Sequence, residues 1–301
     1  AEAEIEKEKL NVDMYALNSR VNDLYFGILL LDEQLKQNAL LQDELERNYR
    51  QITAYVENGI ANQADLDAVK VEQLNTKQKR VELVSSRMAY LKMLSLLVGE
   101  KLSQETVLEK PVPQDDISAV SEIRRPELSL FNAQGVGLQV QEKALNVRHL
   151  PQFGLFVQGA YGNPGLNMLK NEFSPYYIAG VRLSWNFGSL YTLKNDRKVI
   201  ENKRRQLDNN RDVFLFNTRL EMTQQDQAIQ SLEKQMQDDD EIIRLRTNIR
   251  KSAEAKVANG TLTVTEMLRE LTNESLARQS KALHEIQRLM GIYQLKYTTN
   301  D

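Results

Sequence analysis

The sequence predicts a mainly α-helical protein with one β-hairpin: long antiparallel coiled-coil helical hairpins plus a two-stranded barrel segment. Three observations carry this. Apolar residues recur every 3.5 residues over long stretches. In one central stretch the apolar period drops to two. And two distant segments turn over through similar sequences, VENGIANQADL from Val56 and VANGTLTVTEM from Val257, each with valine, then Asn-Gly, then an acid six residues after the glycine.

The first helical signal runs Leu10, Met14, Leu17, Val21, Leu24, Ile28, Leu31, Leu35, in alternating steps of four and three. Such a strict 3.5 period is a coiled-coil seam. Asn38 and Gln42 break it, and the apolar residues resume displaced at Leu41, Leu45, Ile52 and Tyr55, as a stutter does. This helix is expected to reach Glu57. A second, from Ala64 to Val98, carries Val81, Val84, Met88, Leu91 and Val98 and stops at Gly99, a C′ glycine. Residues 1–99 therefore form a first helical hairpin.

Residues 100–121 hold no sustained period, both prolines of KPVPQ and the acids Asp115 and Asp116, and read as a connector. Helix resumes over 122–150, with Pro126 in its first turn, where the missing N–H costs nothing, and an end near Val147 before Leu150-Pro151. Over 151–188 the pattern is that of strands. Phe153, Leu155, Val157, Gly159 and Tyr161 alternate with more polar positions, as do Tyr177, Ala179, Val181, Leu183, Trp185 and Phe187. Phe156 breaks the alternation. Strands of this length match the ~9–11 residues that a tilted strand needs to cross a bilayer.

From Gly188 onward a second helical hairpin occupies 189–297, followed by a tail at 298–301. Leu193, Ile200, Leu207 and Phe214 lie seven apart, as do Ile229, Met236 and Ile243, which extends the helix to Val257. Some 66 residues of helix span on the order of 100 Å at about 1.5 Å per residue. The returning helix, Val264 to Tyr297, carries Leu268, Leu271, Leu283, Ile286 and Met290.

The two tips repeat at an offset of 201 residues, Gly59 to Gly260, and each offers a capping box, Asn62 with Asp65 and Thr263 with Glu266. The strand pair ends 73 residues before Gly260, so its counterpart in the first half would lie before Ala1. The expectation is a first helix and a first β-hairpin upstream in the parent protein.

The composition narrows the function. Net charge is −3 from 39 basic and 42 acidic residues, mixed along the chain, which points to no nucleic-acid partner. No apolar run approaches the ~18 residues of a membrane-spanning helix. There is no cysteine. The chain lacks HExxH, GxSxG and P-loop motifs, and no catalytic residue, metal site or cofactor is expected. His149, beside Pro151, reads as a helix-end residue and His284 as a solvated helix position. The run Asp238, Asp239, Asp240, Glu241 reads as a solvated helix face, because a calcium loop needs a glycine break. On the residues alone a duct competes with a soluble coiled-coil scaffold; the scaffold explains the heptads but not a tryptophan-bearing alternating hairpin set between such helices.

The order of segments resembles the TolC-like outer-membrane efflux protein family. The resemblance rests on VNDLYFGILLLDEQL around Tyr25, AYVENGIANQADLDAV, LSLLVGE, RRPEL, LPQFGLFVQGAYG, YYIAGVRLSWNFG and ANGTLTVTEML, which together cover nearly the whole chain. It implies a homotrimer whose protomers share one barrel in the outer membrane of a Gram-negative bacterium, continued by a helical tunnel through the periplasm. The chain would then be the passive duct of a tripartite efflux or type I secretion system, exporting drugs, other small molecules or proteins, and not an enzyme.

The implied partners are outer-membrane lipid, an inner-membrane pump and a periplasmic adaptor that meets the tips. The implied tip and aperture residues are Asn58, Gly59, Asp65, Asn259, Gly260, Thr263, Glu266 and Arg269. Arg269 departs from the family, where a second acid follows, and an Arg269–Glu266 pair at i, i+3 is expected instead. Gln158, Arg182, Ser184 and Asn186 are expected toward the barrel lumen, with Tyr177, Leu183, Trp185 and Phe187 toward lipid.

Overall fold

A computed structural model describes residues 1–112, 122–148, 150–169 and 171–300; His149, Asp115 and Asp116 lie outside them. The element order is α1 (Glu2–Glu57), α2 (Gln63–Val98), α3 (Pro126–Arg148), β1 (Gln152–Gly162), β2 (Ser174–Ser184), α4 (Ser189–Ala258) and α5 (Val264–Thr299). Among the described residues no helix is long and apolar enough to cross a membrane. The chain divides into two compact units, Ala1–Leu10 with Pro126–Phe214, and Asn11–Arg125 with Leu215–Asp301.

In the first unit α3 runs against the opening turns of α4. Phe131 and Phe214 meet at 5.9 Å between ring centroids, Arg204 pairs with Glu142 at 2.7 Å, and Arg197 donates to Asn146 Oδ1 at 2.9 Å. β1 and β2 pair antiparallel, Gln152 opposite Ser184 through Gly162 opposite Ser174. The second strand therefore begins and ends three residues earlier than its sequence alternation suggests. A strand extends only as far as its partner supplies N–H and C=O groups. β1 starts at Gln152, directly after Pro151, which has no N–H to donate, so pairing stops at Ser184. Trp185, Asn186 and Phe187 fall beyond the ladder, and Asn186 Oδ1 accepts from the Gly188 N–H at 3.1 Å.

In the second unit two helical hairpins pack side by side. α1 uses two faces. Leu24 and Ile28 pack on Leu91 and Leu94 of α2, whereas Phe26 and Leu29 pack on Ile286 and Leu289 of α5. Ile28 and Leu91 are fully buried, each contributing about 1.5–3 kcal/mol. The seam stays open at its start, where Leu10 and Met14 are 61% and 59% exposed. α2 ends 39 residues after Gly59, so its last turn lies level with about residue 20 of α1 and nothing of α2 reaches further. The stutter at Asn38 has a structural counterpart: its buried Nδ2 donates to Thr76 O of α2 at 3.1 Å, a polar layer inside the hairpin.

The connector closes over this unit through its backbone. Arg87, 11% exposed, binds the Asp32 carboxylate and donates to the carbonyls of Gln104 and Thr106, both at 2.8 Å. Tyr25 donates to Glu109 O, and burial with the nearby Glu109 charge raises its pKa. The C-terminal end of α5 is held by the Arg124 N–H on Thr299 O at 2.8 Å. Arg125 lies over the stacked rings of Tyr15 and Tyr297, at 5.1 and 4.9 Å.

Candidate functional site

Both tips are built by the same bonds. Gly59 and Gly260 take the left-handed φ of +73° and +69° that closes a helix. At the first tip Gly59 N–H donates to Val56 O at 3.1 Å and Ile60 N–H to Tyr55 O at 2.8 Å. At the second, Gly260 N–H donates to Val257 O and Thr261 N–H to Lys256 O, both at 2.9 Å. Asn58 Nδ2 and Asn259 Nδ2 each back-bond the carbonyl four residues earlier, at 2.7 and 2.8 Å. Each outgoing helix starts with a complete capping box, Asn62 with Asp65 and Thr263 with Glu266. The repeat read from sequence is thus a repeat of geometry.

Beneath the tips one apolar cluster takes residues from all four helices, among them Leu45 and Ile52, Val69, Val257 and Leu271. The tips stand on a packed base.

Glu266 does not pair with Arg269. Its carboxylate accepts from the Thr263 hydroxyl at 3.0 Å and the Thr263 N–H at 3.3 Å, because the capping box claims it first. Arg269, 71% exposed, turns to Glu270 at 3.5 Å, and Arg246 of α4 reaches the same carboxylate at 3.6 Å. Glu266, Arg269 and Glu270 line one side of a groove of about 440 Å³ whose other wall includes Asn248, Ser252 and Lys256.

Two polar clusters sit further from the tips. Glu274 of α5 is 2% exposed yet charged: Thr247 Oγ1 donates to it at 2.7 Å, Arg278 at 2.6 Å, and Arg250 binds it as well as Glu254. Burial alone raises its pKa, but the hydrogen bonds from Arg278, Thr247 and Arg250 outweigh this and hold the carboxyl below its ordinary range. His284 is not solvated. Its ring, 16% exposed, binds the Asp239 carboxylate through Nδ1 at 2.9 Å, with Ser280 Oγ 3.4 Å from Nε2. Asp239 is accordingly buried, and only its neighbours in the acidic run lie on an open face, Asp240 paired with Lys281 and Glu241 with Arg244. Each cluster combines i,i+4 pairs on one helix with links from α4 to α5 across 24 to 45 residues, and those links have no local sequence signal.

On the β-hairpin, register puts Phe153 opposite Leu183, Leu155 opposite Val181 and Gly159 opposite Tyr177. These apolar side chains share one face and are 59% to 86% exposed. Gln158, Arg182 and Ser184 fall on the other face by the same alternation. Phe156 also lies there because Gly180 opposite has no side chain. A Cβ on Gly180 would stand 2.9 Å from the ring, and Arg182 covers the ring at 5.5 Å. Trp185 and Phe187 meet with their rings tilted, 4.3 Å between centroids, after the strand ends.

No family model and no curated protein matches this sequence. Solved structures do. The outer membrane protein VceC of Vibrio cholerae superposes with a TM-score of 0.75 at 14% identity, over 99% of this chain and 71% of that one. The CmeC outer membrane channel of Campylobacter jejuni gives 0.74 at 13% identity, over 98% and 66%. The open-state MtrE outer membrane channel of Neisseria gonorrhoeae gives 0.74 at 12%, over 98% and 68%. At such identities the likeness establishes the fold, which is that of a TolC-like outer-membrane channel protomer.

Proposed function

We propose that this chain, having the TolC-like fold, forms the duct of an outer-membrane efflux or type I secretion system: a passive homotrimeric conduit for drugs, other small molecules or proteins, and not an enzyme. The observation that carries the reading is the hairpin. Two 11-residue strands present a continuous exposed apolar face in a chain whose helices reach 70 residues. A two-stranded sheet leaves two edges unpaired, which lipid does not tolerate, so strands of further copies or of the same parent chain must close it into a barrel.

In this reading Tyr177 and Leu183 meet lipid, with Trp185 and Phe187 at the strand end in the interfacial zone where aromatic rings gather. Gln158, Arg182 and Ser184 face water, and Asn186 stands at the barrel rim. The helical hairpins extend into the periplasm of a Gram-negative cell. The tips, Asn58–Gly59 and Asn259–Gly260 with Asp65, Thr263, Glu266 and Arg269, form the aperture and meet a periplasmic adaptor that links them to an inner-membrane pump.

The test is planar-bilayer conductance of the full-length protein extracted from outer membranes. Stable single-channel steps are expected, and Arg269→Glu should shift ion preference toward cations. A water-soluble full-length protein that gives no conductance would leave the scaffold reading instead.

A further inference from the structure

Asn-Gly steps occur in this sequence only at the two tips, Asn58-Gly59 and Asn259-Gly260; every other asparagine precedes a residue that carries a side chain. All four tip residues are exposed. An asparagine carboxamide can cyclise on the backbone nitrogen that follows it, and glycine is the least hindered follower because it has no Cβ. The residue that closes each helix thus leaves the amide before it open to attack.

Cyclisation has two requirements. The glycine nitrogen must give up its proton to solvent, and the asparagine Cγ must swing onto that nitrogen. The tip turn opposes both. At the first tip the Gly59 N–H is engaged with Val56 O at 3.1 Å, while Asn58 Nδ2 is anchored on Ala54 O at 2.7 Å, where the Asn58 N–H also ends, at 3.1 Å. At the second, the Gly260 N–H meets Val257 O at 2.9 Å and Asn259 Nδ2 meets Ala255 O at 2.8 Å, beside the Asn259 N–H at 3.2 Å. The reactive geometry arises only when the amide leaves its carbonyl and the end of the helix opens. Fraying of a helix end needs far less free energy than unfolding the chain.

We propose that Asn58 and Asn259 are sites of spontaneous deamidation through a succinimide, gated by opening of the tip turns. Hydroxide takes the glycine N–H proton, the nitrogen bonds to the asparagine Cγ, and the side-chain nitrogen leaves as ammonia after taking a proton from water. Water then opens the ring. Breaking the new bond to Cγ gives aspartate; breaking the original backbone bond gives isoaspartate, whose peptide link runs through Cγ. The net change exchanges one amide for one acid and consumes one water.

The change runs one way. Isoaspartate lengthens the main chain by one methylene, so the glycine N–H no longer falls on the carbonyl that closed the turn. Aspartate sets an anion at the C-terminal end of a helix, where the dipole disfavours it. Either product loses the Nδ2 donor that holds Ala54 O or Ala255 O. The chemistry stands on the turns alone. Its consequence rests on the duct reading, in which each converted tip adds one carboxylate to the aperture.

The test holds the full-length protein in warm, mildly alkaline buffer, folded in detergent or unfolded in guanidinium chloride. Digests are followed by mass spectrometry, with isoaspartyl methyltransferase labelling the isoaspartate. Conversion should appear at Asn58 and Asn259 before any other asparagine, and about tenfold or more slower in the folded protein, a factor equivalent to ~1.4 kcal/mol. Asn58→Gln and Asn259→Gln, which would have to close a six-membered ring, should each silence their own tip and leave the other unchanged. Folded tips that convert as fast as the unfolded chain, that convert after other asparagines, or that stay intact throughout overturn the proposal. In a planar bilayer Asn58→Asp/Asn259→Asp should shift ion preference toward cations; a conducting variant with unchanged preference overturns the effect on the aperture. A protein that converts at its tips but never conducts keeps the sites and removes the duct reading.

Discussion

Replacing Glu274 by Gln takes one negative charge out of a site that three donors are arranged to hold. The side chain is 2% exposed, and Arg250 beside it is 15% exposed, so this pair is poorly screened by solvent. Arg278 is 42% exposed, and its contribution is discounted toward the few tenths of a kcal/mol of surface pairs. Arg250 keeps Glu254 as a partner in the variant, which spares it the full 3–5 kcal/mol of an orphaned buried charge. What remains is two charge-assisted hydrogen bonds, from Thr247 and Arg250, weakened to neutral ones, or about 2 kcal/mol at neutral pH.

The pH dependence carries a sign. The carboxyl titrates below its unfolded value of about 4.3. Its stabilisation is therefore present above that pH and lost as pH falls through the lower folded value. Thermal unfolding of wild type and Glu274→Gln, followed by far-UV circular dichroism at about pH 7, 5 and 3, should show a gap near 2 kcal/mol at the first two that narrows at the third. A gap that stays constant over this range, or one below about 0.5 kcal/mol throughout, would refute the assignment of a stabilising buried carboxylate.

Removing either cap, Asn62→Ala or Thr263→Ala, should cost about 1 kcal/mol and speed hydrogen exchange first at the N–H groups of Asp65 or Glu266. A Cβ at Gly59 or Gly260 meets no atom within 4 Å, so in Gly59→Val and Gly260→Val the main resistance is the left-handed backbone, at roughly 1–2 kcal/mol. Under the proposed trimeric duct, export, read as drug sensitivity, should fall while trimers survive on semi-native gels; unchanged sensitivity in both variants counts against a role for the tips. Leu91→Ala empties a fully buried site between α1 and α2 and should destabilise by about 2–5 kcal/mol in a melting experiment. His284→Ala leaves Asp239, 5% exposed, without its ring donor and should cost about 1–3 kcal/mol; a neutral result would mean that water replaces the ring.

Helix boundaries were legible wherever chemistry is local. Gly59, Gly99 and Gly260 end helices because left-handed φ favours glycine, and Asn62 and Thr263 begin them by satisfying nearby N–H groups, so each signal sits within a few residues of its effect. Strand ends were not legible in the same way. Trp185 and Phe187 continue the alternation of β2, but a strand also needs a partner, and β1 begins only at Gln152.

The same distinction separates the expected Arg269–Glu266 pair from the observed one. Helical spacing made the pair possible, while the Thr263 cap and the reach of Arg246 from α4 decided which carboxylate Arg269 takes.

The sequence by itself thus determined the helices, the hairpin, the two matched tips and the fold, because periods, caps and glycines act over one or two turns. Only the tertiary structure decided that Asn38 forms a polar layer with Thr76 and that Glu274 and Asp239 are buried and bound. Those outcomes depend on which helix faces meet across tens of residues. A seam with several apolar faces permits more than one such meeting until the whole bundle packs.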